Sequence, residues 1–155
     1  MSSLEEALKK NGLSMPNPTV SGGVYVPIKE FGGNFCYLSG CTPTFNGELR
    51  FTGKLGRELT VEQGQEAAKL CVLNLVANLQ SAYGLDRIKR IVKVLVFVAG
   101  TETFYEQPKV ANGGTQLLVD IFGEERGCGA RSAIGVSSLP GNAPVEIELL
   151  VELST

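Results

Sequence analysis

Apolar residues recur at the spacing of one helix face in the middle of the chain. Between residues 61 and 83 these positions are Ala68, Cys71, Val72, Leu75, Val76, Leu79 and Tyr83. Thr60 and Gln63 fit a capping box in front of them, and Gly84 is a natural helix stop behind them. The pattern therefore predicts a long helix from Val61 to Tyr83, with its apolar face on a core.

Downstream, the pattern predicts a buried strand followed by a second helix. Residues Ile88–Ala99 are rich in β-branched side chains and nearly all apolar after Lys93, which is typical of a central strand covered on both faces. Residues Pro108–Phe122 predict a helix that Gly123 ends. The Gly113-Gly114 pair within it lowers helix propensity, and a close approach of another backbone would explain the pair.

The first part of the chain predicts shorter elements. Ser3 and Glu6 fit a capping box for a short helix that Gly12 would end. Several Pro and Gly residues then break the chain. Two short strands are predicted after this break, at Val24–Phe31 and at Phe35–Ser39.

The order of elements predicts the fold class. Asn46-Gly47 is the strongest hairpin signal, and it joins the segment after Pro43 to residues 48–51. The chain then reads helix, strand, helix, strand, strand. This order predicts an α+β sandwich, with two long helices on one face of a mixed sheet. A length of 155 residues predicts a single domain, residues 1–155.

The last quarter of the chain alternates between apolar and polar positions in two segments, Ala130–Val136 and Val145–Leu153. The alternation places Arg131 on one face of the first strand with Ala133 and Gly135, and it places several carboxylates on one face of the second. A short Pro-Gly-Asn connection suggests a hairpin. A hairpin would put the arginine and the carboxylates on one sheet surface, facing water, an active site or another subunit.

Two of these residues have alternative interpretations. Arg131 is either an ion-pair partner of a strand glutamate or a bidentate clamp for a ligand carboxylate. Glu146 is either an exposed polar residue or a carboxylate that positions a water for attack. In a simple hairpin they would lie roughly 13 Å apart along the strands. Joint action would need a bridging substrate and water, an irregular register or a neighbouring subunit.

Composition narrows the chemistry. The absence of histidine excludes Ser-His-Asp and Cys-His units, so acid–base chemistry must use a carboxylate, lysine, tyrosine, thiol or water. The four cysteines contain no C-x-x-C spacing, which predicts reduced thiols.

A net charge of −2 gives no reason to expect a nucleic-acid partner. No apolar run reaches the roughly 20 residues of a membrane helix, and no signal-peptide pattern opens the chain, so a cytoplasmic location is expected.

Several segments together resemble the signature of the Rid family, the YjgF-like reactive intermediate deaminases. The segments are Tyr25, Leu38–Pro43, Arg131-Ser132-Ala133, Leu139-Pro140 and Val145–Glu148. The resemblance runs from about Gly22 to Glu152. The extra length and the N-terminal helix at about residues 3–12 resemble a longer branch of that family, often labelled endoribonuclease L-PSP.

The resemblance implies a chorismate-mutase-like fold and a homotrimer with a barrel-like core and clefts between its subunits. It implies hydrolysis of reactive enamines and imines of amino-acid metabolism to keto acids and ammonia, with no metal and no organic cofactor. Arg131 would clamp the substrate carboxylate, and Glu146 would orient the attacking water. Tyr25, Ser39 and Gly40 would line the pocket.

Three positions differ from the family pattern. Thr115, a candidate substrate-binding residue, stands where many deaminases carry asparagine, Ala133 where they carry cysteine, and Gly129 where the longer branch often carries histidine. These differences keep a second hypothesis open, a non-catalytic trimer that binds a small carboxylate metabolite. A third hypothesis, a ribonuclease, follows only from the branch label, because the sequence has no histidine and no evident basic groove.

Overall fold

The computed structural model describes residues 2–155. Its helices are α1 (Ser3–Asn11), α2 (Val61–Tyr83), α3 (Gln107–Phe122) and α4 (Glu124–Gly127). Its strands are β1 (Ile28–Phe31), β2 (Phe35–Cys41), β3 (Thr44–Phe45), β4 (Glu48–Leu49), β5 (Ile88–Ala99), β6 (Ala130–Val136) and β7 (Val145–Leu153). Short 3-10 turns lie at Leu85–Arg87 and Pro140–Asn142.

Five strands form one mixed sheet in the order β1-β2-β7-β5-β6, and β3 pairs with β4 in a separate hairpin. β5 and β6 are parallel, and the other neighbours in the sheet are antiparallel. The two long helices pack together against one face of the sheet, where Leu38, Val96, Ile147 and Leu117 are buried in a shared core. The predicted α+β sandwich, with a mixed sheet and two long helices on one face, is confirmed.

The predicted hairpin of the last two strands is wrong. β5 lies between β6 and β7, pairing in parallel with β6 and antiparallel with β7. The cause is the connection through α3, because a strand that is followed by a packed helix returns parallel to itself. Alternation had specified which residues share a face of each strand, but it carries no information about which strands are neighbours.

The helix ends and caps predicted from the sequence agree closely with the structure. α2 has the predicted bounds, and the capping box between Thr60 and Gln63 is formed. The box of α1 lies one residue earlier than predicted, with Ser2 as N-cap and Glu5 as its partner, while Gly12 ends the helix in the left-handed conformation. α4 was not predicted.

The Gly113-Gly114 pair of α3 is explained by close packing on α2 and the sheet. A Cβ on Gly113 would lie 2.5 Å from the backbone oxygen of Gln65 in α2, and a Cβ on Gly114 would lie 3.0 Å from Ile147 Cδ1. Any side chain at Gly113 would push the two helices apart. The expectation of a close backbone approach is confirmed, and the contact fixes how α3 is rotated over the sheet.

The predicted strands near the N-terminus need correction. β1 begins at Ile28 and not at Val24, because residues before Pro27 bend back on themselves and the Ser21 hydroxyl donates to the backbone oxygen of Tyr25 at 2.7 Å. β2 extends two residues further than predicted, to Cys41. The Asn46-Gly47 hairpin turn is confirmed, with φ of 51° and 85° at the two residues.

Within this chain, only one face of β5 is covered, contrary to the prediction. Val94, Val96 and Val98 are buried under the helices, whereas Leu95 and Phe97 lie half-buried on the opposite face of the sheet. On that face, Tyr37 of β2 is 44% exposed and Ile134 of β6 is 43% exposed. We call this face the open face. Large side chains on it are available for a further contact.

Candidate functional site

Arg131 lies on the edge strand β6 and points to the helix side of the sheet. Its register partner is Val94 of β5, which is buried on the helix side. Its Nη1 donates to Asn112 Oδ1 at 2.6 Å and, more weakly, to Thr115 Oγ1 at 3.4 Å, both on α3. The guanidinium opens into a cleft of about 620 Å³ that Glu124 and Cys128 also line.

Arg131 is not an ion-pair partner within the chain. Among residues 2–155, the ion pairs involve other cations, and none includes Arg131. The interpretation of Arg131 as paired with a strand glutamate of its own subunit therefore does not hold. In the described part of the chain its hydrogen-bond partners are oxygens of neutral side chains, so the guanidinium remains available to an external anion.

Asn112 is the residue that the sequence interpretation missed. It precedes Thr115 by one helical turn, so the two side chains lie on the same face of α3. The only indication in the sequence was the spacing, because an amide one turn from Thr115 can reach the same arginine. Nothing in the sequence alone distinguished it from an exposed helix residue.

Glu146 lies in a different place, on the open face of the sheet. Its register partner in β5 is Phe97. On its other side, β7 pairs with the distorted end of β2. The register between β2 and β7 shifts between Leu38 and Cys41, which accommodates Ser39 and Gly40. A Cβ on Gly40 would lie 2.8 Å from Glu146 Oε2, so any other residue here would require the carboxylate to shift.

Burial raises the pKa of the Glu146 carboxyl above its ordinary value of 4.5, and the charge of Glu148 raises it further. Within residues 2–155 no cation forms an ion pair with Glu146. A half-buried carboxylate without a cation holds a proton more readily than an ordinary glutamate. That property suits a group that accepts and returns a proton during a reaction.

Tyr25 and Ser39 lie on the same side of the molecule as Glu146. The Ser39 hydroxyl donates to the backbone oxygen of Val26 at 2.6 Å, which ties β2 to the bent segment before β1. Tyr25 is 51% exposed, and its hydroxyl accepts from the backbone N–H of Gly22 at 3.2 Å. Tyr25 and Gly40 line a cleft of about 390 Å³, together with uncharged Asn and Thr side chains.

The predicted site residues thus form two groups. Arg131 and Thr115 lie on the helix side of β6, and Tyr25, Ser39, Gly40 and Glu146 lie around the end of β2. Two strand spacings and three residues along the strands separate Arg131 from Glu146, about 10 Å in each direction. The expectation of one shared sheet surface is wrong, because the register places the two side chains on opposite faces.

The three buried cysteines are poorly suited to catalysis. Burial raises the pKa of Cys36 to about 11 and that of Cys41 to about 12, and it raises the pKa of Cys71 well above 9. Buried protonated thiols are inert. Within residues 2–155, no three Cys, Asp or Glu side chains lie close enough to hold a metal ion. None of the helices in that range is long and apolar enough to cross a bilayer.

Comparison with known proteins gives a family for this arrangement. A model of the family described as "YjgF/chorismate mutase-like, putative endoribonuclease" matches residues 5–153. The chain belongs to the YjgF/chorismate-mutase-like family. The resemblance inferred from the segments around Tyr25, Arg131 and Glu146 is confirmed.

Individual relatives cover almost the whole chain. Protein TCP17 of Trypanosoma cruzi is 43% identical over 148 residues, which is 95% of this chain and 92% of that protein. The structure of Atu1372 from Agrobacterium tumefaciens, a protein of unknown function, superimposes with a TM-score of 0.90 at 38% identity, covering 98% of this chain and 93% of the other. A "putative endoribonuclease" from Shewanella oneidensis superimposes with a TM-score of 0.89 at 33% identity, covering 97% and 99%. Close structural similarity to these YjgF-like proteins extends over the entire fold, including the N-terminal helix.

Proposed function

We propose that this YjgF-like protein hydrolyses small 2-imino acids and their enamine tautomers to keto acids and ammonia. The observation that carries the proposal is the guanidinium of Arg131, which is held by neutral oxygens of α3 and faces a cleft without an ion-pair partner. Such a group is suited to a ligand carboxylate, which it can bind through two parallel hydrogen bonds. Glu146 supplies the second requirement, a carboxylate that holds a proton more readily than usual.

The reaction needs little more than these two groups. An iminium carbon is already electrophilic, so the protein has to orient the substrate and place a water. The water oxygen bonds to this carbon while Glu146 takes one of the water protons. Glu146 then returns the proton to nitrogen, the C–N bond breaks, and ammonia leaves. The hydroxyl proton is lost to solvent as the keto carbonyl forms.

A subunit contact would unite the two groups. Because Arg131 and Glu146 lie on opposite faces of the sheet in one chain, a neighbouring copy must bring its Glu146 side to the Arg131 cleft. A homotrimer that buries the open face, with its exposed Tyr37 and Ile134, would produce three such composite sites. The assembly is checked by light scattering at micromolar concentration, where a monomer mass would remove the composite site.

Turnover is tested by generating 2-iminobutanoate or 2-iminopropanoate with an amino-acid oxidase and following its decay. Wild type should accelerate the decay over buffer, and Arg131→Ala should lose most of this acceleration. Gln80→Ala is the control, because Gln80 is an exposed amide on α2 that does not line the Arg131 cleft. No acceleration by wild type with several side chains would contradict the proposal.

Two other functions are outcomes of the same experiments. Keto-acid binding without turnover would favour a carboxylate-binding trimer, which Ala133, Thr115 and Gly129 support because these three positions differ from the family pattern. The label of the Shewanella relative suggests RNA cleavage. Lys89 and Arg90 would be the obvious cations for RNA, but both pair with Glu152. RNA cleavage that depended on Arg131 and Glu146 in rigorously purified protein would replace the deaminase proposal.

A further inference from the structure

One end of the Arg131 guanidinium is hydrogen-bonded to helix α3. Nη1 carries two N–H groups, and two oxygens lie within reach of it, Asn112 Oδ1 at 2.6 Å and Thr115 Oγ1 at 3.4 Å. The Thr115 hydroxyl donates to the backbone oxygen of Ala111 at 3.3 Å, which leaves its oxygen free to accept. Both donors of Nη1 therefore have acceptors on α3.

The other edge of the guanidinium remains for a ligand. An arginine binds a carboxylate in two parallel hydrogen bonds through a pair of adjacent N–H groups. With Nη1 engaged, the available pair is Nε–H and one N–H of Nη2. Among residues 2–155, neither of these nitrogens has a hydrogen-bond partner in the structure.

The position of Asn112 is itself fixed by packing. Gly113 lies against the backbone of α2, where a Cβ would come within 2.5 Å of the Gln65 backbone oxygen. That contact sets the rotation of α3, so the residues next to the glycine on the other side, Asn112 and Thr115, face β6. The tight contact between the two helices therefore places the Asn112 amide beside Arg131.

We propose that Asn112, assisted by Thr115, is a positioning residue that orients Arg131, so that the Nε/Nη2 edge receives the substrate carboxylate. This inference rests on the proposed function and adds the residue and the edge that determine substrate orientation. Asn112 acts through Arg131 and does not itself touch the reacting atoms. A compact 2-keto or 2-imino carboxylate is the ligand class that a single fixed edge suits.

The test is a double-mutant cycle on ligand binding, with 2-ketobutyrate as probe in isothermal titration. Asn112→Ala should weaken binding about 3- to 10-fold, the range for loss of one hydrogen bond of ordinary strength, because the amide acts through Arg131 and does not touch the ligand. Asn112→Asp should weaken it at least as much, because the new carboxylate would pair with Arg131. Gln80→Ala, a control that removes an exposed amide on α2 outside the Arg131 cleft, should change binding less than about twofold.

The cycle separates a positioning role from a merely structural one. In an Arg131→Lys background, where the planar fork is already lost, Asn112→Ala should have almost no further effect on binding. An equal loss in both backgrounds, or wild-type binding by Asn112→Ala, would overturn the inference.

A second readout does not depend on any ligand. The mobility of the Arg131 Nε–H, measured by ¹⁵N relaxation, should rise in Asn112→Ala and stay unchanged in Gln80→Ala. An equally ordered guanidinium in Asn112→Ala would refute the positioning role, even if wild type bound no keto acid. Absence of keto-acid binding by wild type, with an Asn112-dependent guanidinium order, would instead overturn only the proposed function.

Discussion

Two glutamates on the same face of strand β7 have opposite electrostatic behaviour. Glu152, whose side chain is only 7% exposed, has a pKa below its ordinary value, chiefly because Lys89 donates to it and Arg90 adds a second charged hydrogen bond. Glu146 is more exposed, yet burial and Glu148 raise its pKa. The less exposed carboxylate is the more acidic one. The presence of cations, and not the degree of burial alone, decides the sign of the shift.

A β-bulge explains the difference. The register of β5 against β7 passes from Ile88 opposite Leu153 to Arg90 opposite Glu152, so β5 contains one extra residue there. Two consecutive cations, Lys89 and Arg90, can therefore reach the same carboxylate. At the other end of the strand Glu146 faces Gly40 and Phe97, which offer no charge. One end of β7 is a structural ion-pair cluster, and the carboxylate at the other end forms no ion pair within residues 2–155.

Removing the charge of Glu146 should have the largest effect on activity. Glu146→Gln should reduce imine hydrolysis about 100-fold or more, the range for loss of a general base, with little loss of 2-ketobutyrate binding. The measurement is steady-state imine decay together with titration of the keto acid. Glu148→Gln, on the same face two residues along, is the control and should keep most of the activity. Equal losses in the two variants would remove the special role of Glu146.

A smaller loss of activity is expected from filling the space beside Glu146. In Gly40→Ala the new Cβ would lie 2.8 Å from Glu146 Oε2, so the carboxylate must move aside. We expect turnover to fall about 10-fold, because a misplaced base transfers protons poorly. The melting temperature should change little, since a flexible side chain can give way. In a Glu146→Gln background Gly40→Ala should have no further effect on turnover, and an additive loss would contradict this explanation.

Removing the ion pairs of Glu152, at the other end of β7, should lower the stability of the fold and leave the catalytic rate unchanged. Glu152→Gln removes the shared partner of Lys89 and Arg90 and weakens the contact with Asn34, so the melting temperature should fall by several degrees. The rate of imine hydrolysis per folded molecule should stay near wild type. A loss of activity without a loss of stability would show that Glu152, too, belongs to the site.

The smallest effect, and the sharpest form of the comparison, is a difference in pH dependence. The lowered pKa of Glu152 stabilises the fold above 4.5, and this contribution is lost as the pH falls, so Glu152→Gln and wild type should converge in acid. The raised pKa of Glu146 has the opposite sign, because its ionisation costs stability as the pH rises above 4.5. Glu146→Gln should therefore melt slightly above wild type at pH 7 and equal to it below pH 4. Melting curves of both variants between about pH 3 and pH 7 test the two signs, and parallel curves would contradict them.

Much of the local structure could be predicted from the sequence because it depends on neighbours along the chain. The bounds of α2, its Thr60–Gln63 cap and the Asn46-Gly47 turn follow from short-range hydrogen bonding and from backbone preferences. The Gly113-Gly114 pair correctly indicated a close backbone approach. Prediction failed at Val24–Pro27, where a proline and a side-chain bond to the backbone of Tyr25 replace the strand.

By itself the sequence determined the family, the fold class and the residue types of the site, because these depend on order, period and motif. Only the tertiary structure decided which side chains meet. Alternation placed Arg131 and Glu146 on definite faces of their own strands, but the insertion of β5 between those strands put the two faces on opposite sides of the sheet. Likewise, Lys89, Arg90 and Glu152 form a cluster through a bulge in the register, and Asn112 reaches Arg131 through the packing of α3 on α2. Pairing between distant segments depends on how strands and helices pack into one core, which the alternation within a single strand does not encode.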